Sequence, residues 1–254
     1  VVDWNPPGQD ERGLRVEDYV QGFIPEAVRH VQERSGEKEI TLIGYCMGSV
    51  LTTIYSALNP GAAVKNLIGF TTPVDYTRIG FRDLNDQRYF DVDRLVDSVG
   101  IVPASMIEAG FEILRPAGRP VSNMRLWDNL WNDEYVQSYR MLERWGAETL
   151  PLPGEYFRQL TKELFWKNAL VEGSLRIGGR PVRLSNIDAS LLSVVAEHDH
   201  LVPPDCAAPL VEQAGSRDKE QLVLPGGHVS LIAGPNAIKR LWPKLDQWLQ
   251  ERST

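Results

Sequence analysis

Short apolar runs set among amphipathic and turn-rich stretches outline the chain. Ile40-Thr41-Leu42-Ile43 lies within a β-branched stretch, Glu39 to Tyr45, that predicts a strand. Asn66 to Thr72 and Gln221-Leu222-Val223-Leu224 read as further strands, and the continuous apolar run Leu191 to Ala196 fits a strand buried on both faces of a parallel sheet. Ser49 to Leu58 is apolar on most sides, which predicts a buried helix, and Asn59-Pro60-Gly61 stops it. From Tyr19 to Val31 the apolar positions Phe23, Ile24, Ala27, Val28 and Val31 recur at helical spacing, the pattern of an amphipathic surface helix that leaves His30 toward solvent. Strands alternating with helices predict an α/β fold.

Chemistry sits where these elements join. Gly44-Tyr45-Cys46-Met47-Gly48 directly follows the first strand and precedes the buried helix, the arrangement of a nucleophile elbow with cysteine in the nucleophile's place. The tight turn strains the nucleophile's backbone, and the flanking glycines are expected to remove side chains that would collide with strand and helix. A thiol is a better nucleophile than a hydroxyl, and its thiolate is reachable near neutral pH beside a histidine or a helix N-terminus, so cysteine points to acyl transfer through a thioester. The first backbone N–H after the nucleophile, that of Met47, is the expected oxyanion donor. The elbow predicts an α/β-hydrolase fold, whose order is nucleophile, acid, histidine.

Only four histidines are present, and His228 stands apart from His30, His198 and His200. It follows a strand and the turn Pro225-Gly226-Gly227, at the strand end where open α/β sheets hold their chemistry, and is the expected general base. Asp199 lies just beyond the run Leu191 to Ala196 and is the expected acid, with Glu197 and Asp75 as rivals. His198, His200 and His228 together would suit zinc, but that would leave the elbow without a purpose, so no metal is expected.

These motifs carry a family resemblance. Cys46 in its elbow, Ala196 to Pro204 and Pro225-Gly226-Gly227-His228 resemble the catalytic subunit of the two-subunit polyhydroxyalkanoate synthases. Thr71-Thr72-Pro73-Val74-Asp75-Tyr76, Phe157-Arg158-Gln159-Leu160 and Ile177-Gly178-Gly179-Arg180-Pro181-Val182 extend the likeness along nearly the whole chain. The resemblance implies an acyltransferase that polymerises (R)-3-hydroxyacyl groups from coenzyme A thioesters, releasing coenzyme A. Cys46 would carry the growing polyester, His228 would activate the thiol, and Asp199 would support the histidine or help activate the incoming 3-hydroxyl. The coenzyme A thioester is a substrate, and no cofactor is expected. The resemblance further implies a non-catalytic partner subunit, homo-oligomers, and a place at polymer granules in the cytoplasm. Alternatives are a thioesterase or polyester depolymerase with the same residues, or a non-catalytic homologue. Two departures stand out: Ser49 replaces a second glycine after the elbow, and Val1-Val2-Asp3-Trp4 resembles an internal strand, so earlier strands and a second oxyanion donor are expected outside the sequence.

One catalytic domain is expected, with a core at 1–75 and 187–254 and a cap insertion at about 76–186. That insertion is rich in large rings, among them Tyr89, Phe111, Trp127, Trp131, Trp145 and Tyr156. Most are expected to fill the insertion's own core, with a minority closing over the site to exclude water. Residues 115–120 and Pro151-Leu152-Pro153-Gly154 read as turns.

Composition limits the rest. A formal net charge of -7 argues against nucleic-acid binding but leaves room for a local anion pocket, for which Arg78, Arg82 and Arg88 are candidates. No run is long enough to span a membrane. Cys46 and Cys206 are the only cysteines, so no disulfide framework is expected, and Cys206 reads as a small helix residue.

Overall fold

The computed structural model describes residues 1–61, 63–114, 118–234 and 237–253. After the helices α1 (Val16–Asp18) and α2 (Ile24–Ser35), β1 (Ile40–Tyr45), β2 (Val64–Phe70), β7 (Ser190–Ala196) and β8 (Lys219–Leu224) form an all-parallel sheet in the order β1-β2-β7-β8, while β5 (Arg176–Ile177) and β6 (Arg180–Pro181) pair as a separate antiparallel hairpin. β2 and β7 lie at the centre, which explains their nearly unbroken apolar sequences, since both faces are covered. β1 and β8 are edges, and Ile43 and Val223 on them are exposed. Val1 to Trp4, expected as a strand, forms none, because no ladder pairs with it.

Strand alternation sorts the two faces. Ile68, Phe70, Leu192, Val194 and Ala196 pack with Leu241, Leu245 and Trp248 from the last turns of the chain, including the helix Trp242–Gln250. On the other face lies α3 (Met47–Leu58), which packs on β1 and β2. Its approach is set by two glycines that are partners in the ladder, Gly44 on β1 and Gly69 on β2. A Cβ on Gly44 would lie 2.3 Å from the Ser49 Cα, and one on Gly69 would lie 2.6 Å from the Ser49 Oγ and 2.4 Å from the Thr72 Oγ1. Either is impossible without displacing the helix or the loop after β2. Gly48 differs from the expectation: a Cβ there meets nothing within 4 Å, because it points away from the sheet at the first turn of α3.

The chain divides into two compact units. The larger holds the sheet and comprises Val2, Arg15–Tyr89 and Gln159–Thr254; the smaller comprises Val1, Asp3–Leu14 and Phe90–Arg158. Residues 76–89 and 159–186, placed in the insertion by the sequence reading, fold with the sheet unit. Asn168 shows why: its side chain accepts from the Tyr76 N–H and donates to Asp75, joining the two ends of the segment.

The smaller unit is helical. α4 (Val92–Val99), α5 (Ala104–Leu114), α6 (Gly118–Asp128), α7 (Asp133–Ala147) and α8 (Gly154–Leu160) are joined by a two-residue antiparallel pairing of β3 (Ile101–Val102) with β4 (Leu152–Pro153). Arg158 reaches Asp93 at 2.6 Å and Asp97 at 2.5 Å, tying α8 to α4. Of the turn expected over 115–120, residues 115–117 lie outside the described residues, while Gly118 to Pro120 open α6, where proline fits a helix's first turn. The other expected turn is instead β4 followed by the start of α8.

Of the rings in the expected insertion, Phe81, Phe90, Tyr135, Tyr139, Phe157, Phe165 and Trp166 are half-buried, so the expectation of a ring-filled core holds in part only. None of the residues of α5, α6 or α7 is buried. Trp127 and Trp131 are 76% and 80% exposed, and Tyr89, Phe111 and Trp145 are exposed as well; Tyr156 is buried. Tyr139 donates to Asn123 at 2.8 Å, linking α7 to α6.

Candidate active site

Three loops at the C-terminal ends of β1, β7 and β8 bring together Cys46, Asp199 and His228. Cys46 stands between β1 and α3 with φ 52° and ψ -119°, a left-handed backbone that costs a side-chain-bearing residue roughly 1–3 kcal/mol. That conformation is held from both sides. The Cys46 N–H donates to the Phe70 carbonyl at 2.9 Å, and the Cys46 carbonyl accepts from Ser49 at 3.0 Å and Val50 at 3.1 Å. The strain is thus built into the join, and Cys46 remains partly accessible.

Ser49, the departure from the resembled pattern, has a specific role in this join. It is fully buried, and its Oγ lies 2.5 Å from the Oγ of Thr72, so a hydrogen bond ties the first turn of α3 to the loop after β2. Met47 opens α3, and its N–H is among those that no helix carbonyl accepts.

His228 is only 7% exposed, and its Nδ1 lies 2.7 Å from the Oδ2 of Asp199. The other carboxylate oxygen of Asp199 accepts from the N–H groups of Leu201 and Val202, each at 2.9 Å. Both oxygens are therefore engaged in holding the acid and the imidazole in place. The two loops are themselves joined by the His198 N–H donating to the Gly226 carbonyl at 2.9 Å. Burial alone would lower the His228 pKa, but the hydrogen bond with Asp199 and then that with Cys46 outweigh it and raise the pKa to about 9. The imidazole is thus held protonated at neutral pH, facing the Cys46 sulfur.

The rivals fall away on position. Glu197 is exposed, and Asp75 is turned to Thr77 and Asn168. His30, His198 and His200 are exposed. Among the described residues no three histidine, cysteine, aspartate or glutamate side chains are grouped to hold a metal ion. Cys206 is buried in the helix Pro204–Gln213, and burial pushes its thiol up to about 11. Arg78 pairs with Asp205, Arg82 donates to the Thr77 carbonyl, and Arg88 grips Asp86 with two nitrogens. Each has a local partner, and nothing draws the three into one pocket.

Two contacts were not foreseen. Gly69 sits inside a strand, a position that signals close backbone approach and could have been read as such. Tyr45 lies against the imidazole of His228, a contact 183 residues apart in sequence that no local signal announces.

Comparison with known proteins gives the fold and the family. Residues 1–235 match the family model of the alpha/beta hydrolase fold. The solved monoacylglycerol lipase of Paleococcus ferrophilus covers 94% of the chain, and the chain covers 77% of it, with a TM-score of 0.56 at 13% identity. A thermophilic esterase from Thermogutta terrifontis covers 99%, with 76% of its own chain covered, at a TM-score of 0.54 and 13% identity. At such identities these likenesses concern the fold alone. In sequence, the poly(3-hydroxyalkanoate) polymerase subunit PhaC of Thiocystis violacea is 32% identical over 100% of this chain and 71% of its own length. PhaC of Allochromatium vinosum is 32% identical over 99% of this chain and 71% of its own length. PhaC of Haloarcula marismortui is 30% identical over the whole chain, which spans 54% of that longer protein. With a match at 30–32% identity along this whole chain, spanning 71% of the Thiocystis and Allochromatium proteins, the chain belongs to the PhaC family of poly(3-hydroxyalkanoate) polymerases, acyltransferases built on the α/β-hydrolase fold.

Proposed function

We propose that this chain polymerises (R)-3-hydroxyacyl units from coenzyme A thioesters with Cys46 as the covalent acceptor. The observation that carries the reading is the accessible Cys46 at the strained elbow, hydrogen-bonded to an imidazole that Asp199 holds at Nδ1. The Cys46 sulfur attacks the thioester carbonyl, and the Met47 N–H stabilises the oxyanion that forms. The carbon–sulfur bond to coenzyme A breaks, its sulfur takes the proton from His228, and the acyl group remains on Cys46 as a thioester. The imidazole, now neutral, accepts the proton of an incoming 3-hydroxyl as that oxygen attacks the acyl carbonyl, so an ester forms and the Cys46 thiolate is released.

The Asp199 side chain is wholly buried, with one oxygen on the imidazole and the other on two backbone N–H groups, which supports an orienting part for this residue. Coenzyme A thioester is the substrate in this reading, which calls for no separate cofactor. The relatives are named as subunits, which supports a working assembly with another subunit; that this partner is non-catalytic, that further copies join, and that the assembly works at polymer granules in the cytoplasm belong to the same proposal. Among the described residues no helix is long and apolar enough to cross a membrane.

The test follows coenzyme A release together with polymer and free hydroxy acid, with and without the second subunit. Coenzyme A and polymer rising together, and faster with that subunit, is the expected result. Coenzyme A matched by free hydroxy acid would make the chain a hydrolase, and release of neither would make it non-catalytic.

A further inference from the structure

His228 is anchored by Asp199 at Nδ1, and that bond alone does not fix where its second ring nitrogen points. With Nδ1 bonded to Asp199, Nε2 is the nitrogen left to meet Cys46. Histidine's χ2 is a broad torsion, so an imidazole held by one nitrogen can still swing and carry the other away from its target. Something must wall it in.

Tyr45 occupies that position. It is the last residue of β1, and strand alternation turns its side chain away from Gly44 and Ser49, toward the face where it packs on the core around Phe70 and Leu224. Its ring centroid lies 5.0 Å from that of His228, with the planes tilted by 47°. Its hydroxyl donates to the His228 backbone carbonyl at 3.4 Å, so one side chain touches both the ring and the main chain of the histidine. Burial, with smaller contributions from the charges of Cys46 and Asp199, raises the hydroxyl's pKa well above its ordinary value, so it stays a neutral donor.

We propose that Tyr45 is a positioning residue whose ring limits the swing of the His228 imidazole and keeps Nε2 aimed at the Cys46 sulfur. The inference rests on the reading of Cys46 and His228 as a working pair. The ring is the operative part: the contact to the carbonyl is long, whereas the ring lies directly against the torsion that must be restrained.

The test uses the full chain with Cys206→Ala, so that Cys46 is the only thiol. It measures the rate of Cys46 alkylation by iodoacetamide at pH 7 and the kcat and KM of coenzyme A release. Tyr45→Phe keeps the ring and should stay within about threefold of the parent. Tyr45→Leu should slow alkylation and lower kcat roughly tenfold with KM unchanged, the cost of a small misalignment of reacting groups. Tyr45→Met supplies a second ring-free variant should the leucine variant fail to fold. Leucine or methionine variants as fast as the parent, or a phenylalanine variant as slow as they are, would overturn the proposal. If the parent alkylates in the expected pattern but releases no coenzyme A, the polymerase reading fails while the role of Tyr45 stands.

Discussion

Residues 44–58 and residues 104–147 are both rich in apolar side chains, and the structure uses them in opposite ways. In α3 nine residues are buried, among them the polar Ser49, Thr53 and Ser56, while in α5, α6 and α7 none is. The difference lies in what each stretch packs on. α3 is drawn onto the sheet by Gly44 and Gly69, so even its hydroxyls are enclosed and Ser49 must find Thr72. The helices of the smaller unit carry Met124, Trp127, Met141 and Trp145, with Trp131 between them, and all five are exposed. Apolar composition thus states what could be buried, and close approach of backbones decides what is.

If the elbow region is held as tightly as this comparison requires, changes there should be costly and changes in α5–α7 mild. The largest effect is expected at the histidine. His228→Gln should slow acylation of Cys46 by roughly a hundredfold to ten-thousandfold, and Asp199→Asn should slow the same step, since one carboxylate oxygen holds the histidine and the other fixes the acid to its loop. Single-turnover acylation measured on both variants decides this; an Asp199→Asn variant that acylates normally but elongates slowly would give the acid a direct role with the hydroxyl.

The same residue makes a prediction about stability. The His228 pKa rises from 6.5 to about 9 on folding, so its protonated form favours the folded chain. That contribution is whole below pH 6.5 and is lost as pH rises through about 9, at up to about 1.4 kcal/mol per pH unit. Urea midpoints should fall across this window in the parent and show a shallower fall in His228→Gln. A parent whose midpoint is level from pH 6.5 to 9 would contradict the assignment.

Smaller effects test the packing directly. Gly44→Ala should destabilise by about 1–3 kcal/mol or more, because its methyl would enter the Ser49 backbone. Gly48→Ala has open space around its new methyl and should be neutral or stabilising by up to about 1 kcal/mol, through better helix propensity. Thermal or urea unfolding of the two variants side by side breaks the comparison if they lose equally. Least of all, Trp127→Gln and Trp131→Gln should change stability by no more than about 0.5 kcal/mol, since both rings lie mostly in solvent. A loss of several kcal/mol in either would mean that these rings are enclosed in the working protein.

What the sequence revealed follows from the same contrast. Strands β1, β2, β7 and β8, the elbow, and the residues at the ends of β1, β7 and β8 are written in short contiguous motifs, and each was readable as such. Asp199 could be preferred over Asp75 because it follows a strand directly, and the structure turns Asp75 elsewhere. Contacts set by register were not readable. Gly44 meets Gly69 only when β1 and β2 pair as they do, Ser49 finds Thr72 only across that join, and Tyr45 reaches His228 only once β1 and β8 are in one sheet. The exposed rings of the smaller unit were not legible for the converse reason: helical spacing marks a face as apolar but does not say what packs on it.

The central claim is that Cys46 carries the acyl chain, and peptide mapping by mass spectrometry after brief exposure to a 3-hydroxyacyl coenzyme A tests it most directly. The account predicts an acyl adduct on the peptide containing Cys46, absent in Cys46→Ala and undiminished in Cys206→Ala, whose thiol is buried and held up near 11. An adduct on Cys206, or undiminished turnover without Cys46, would contradict it.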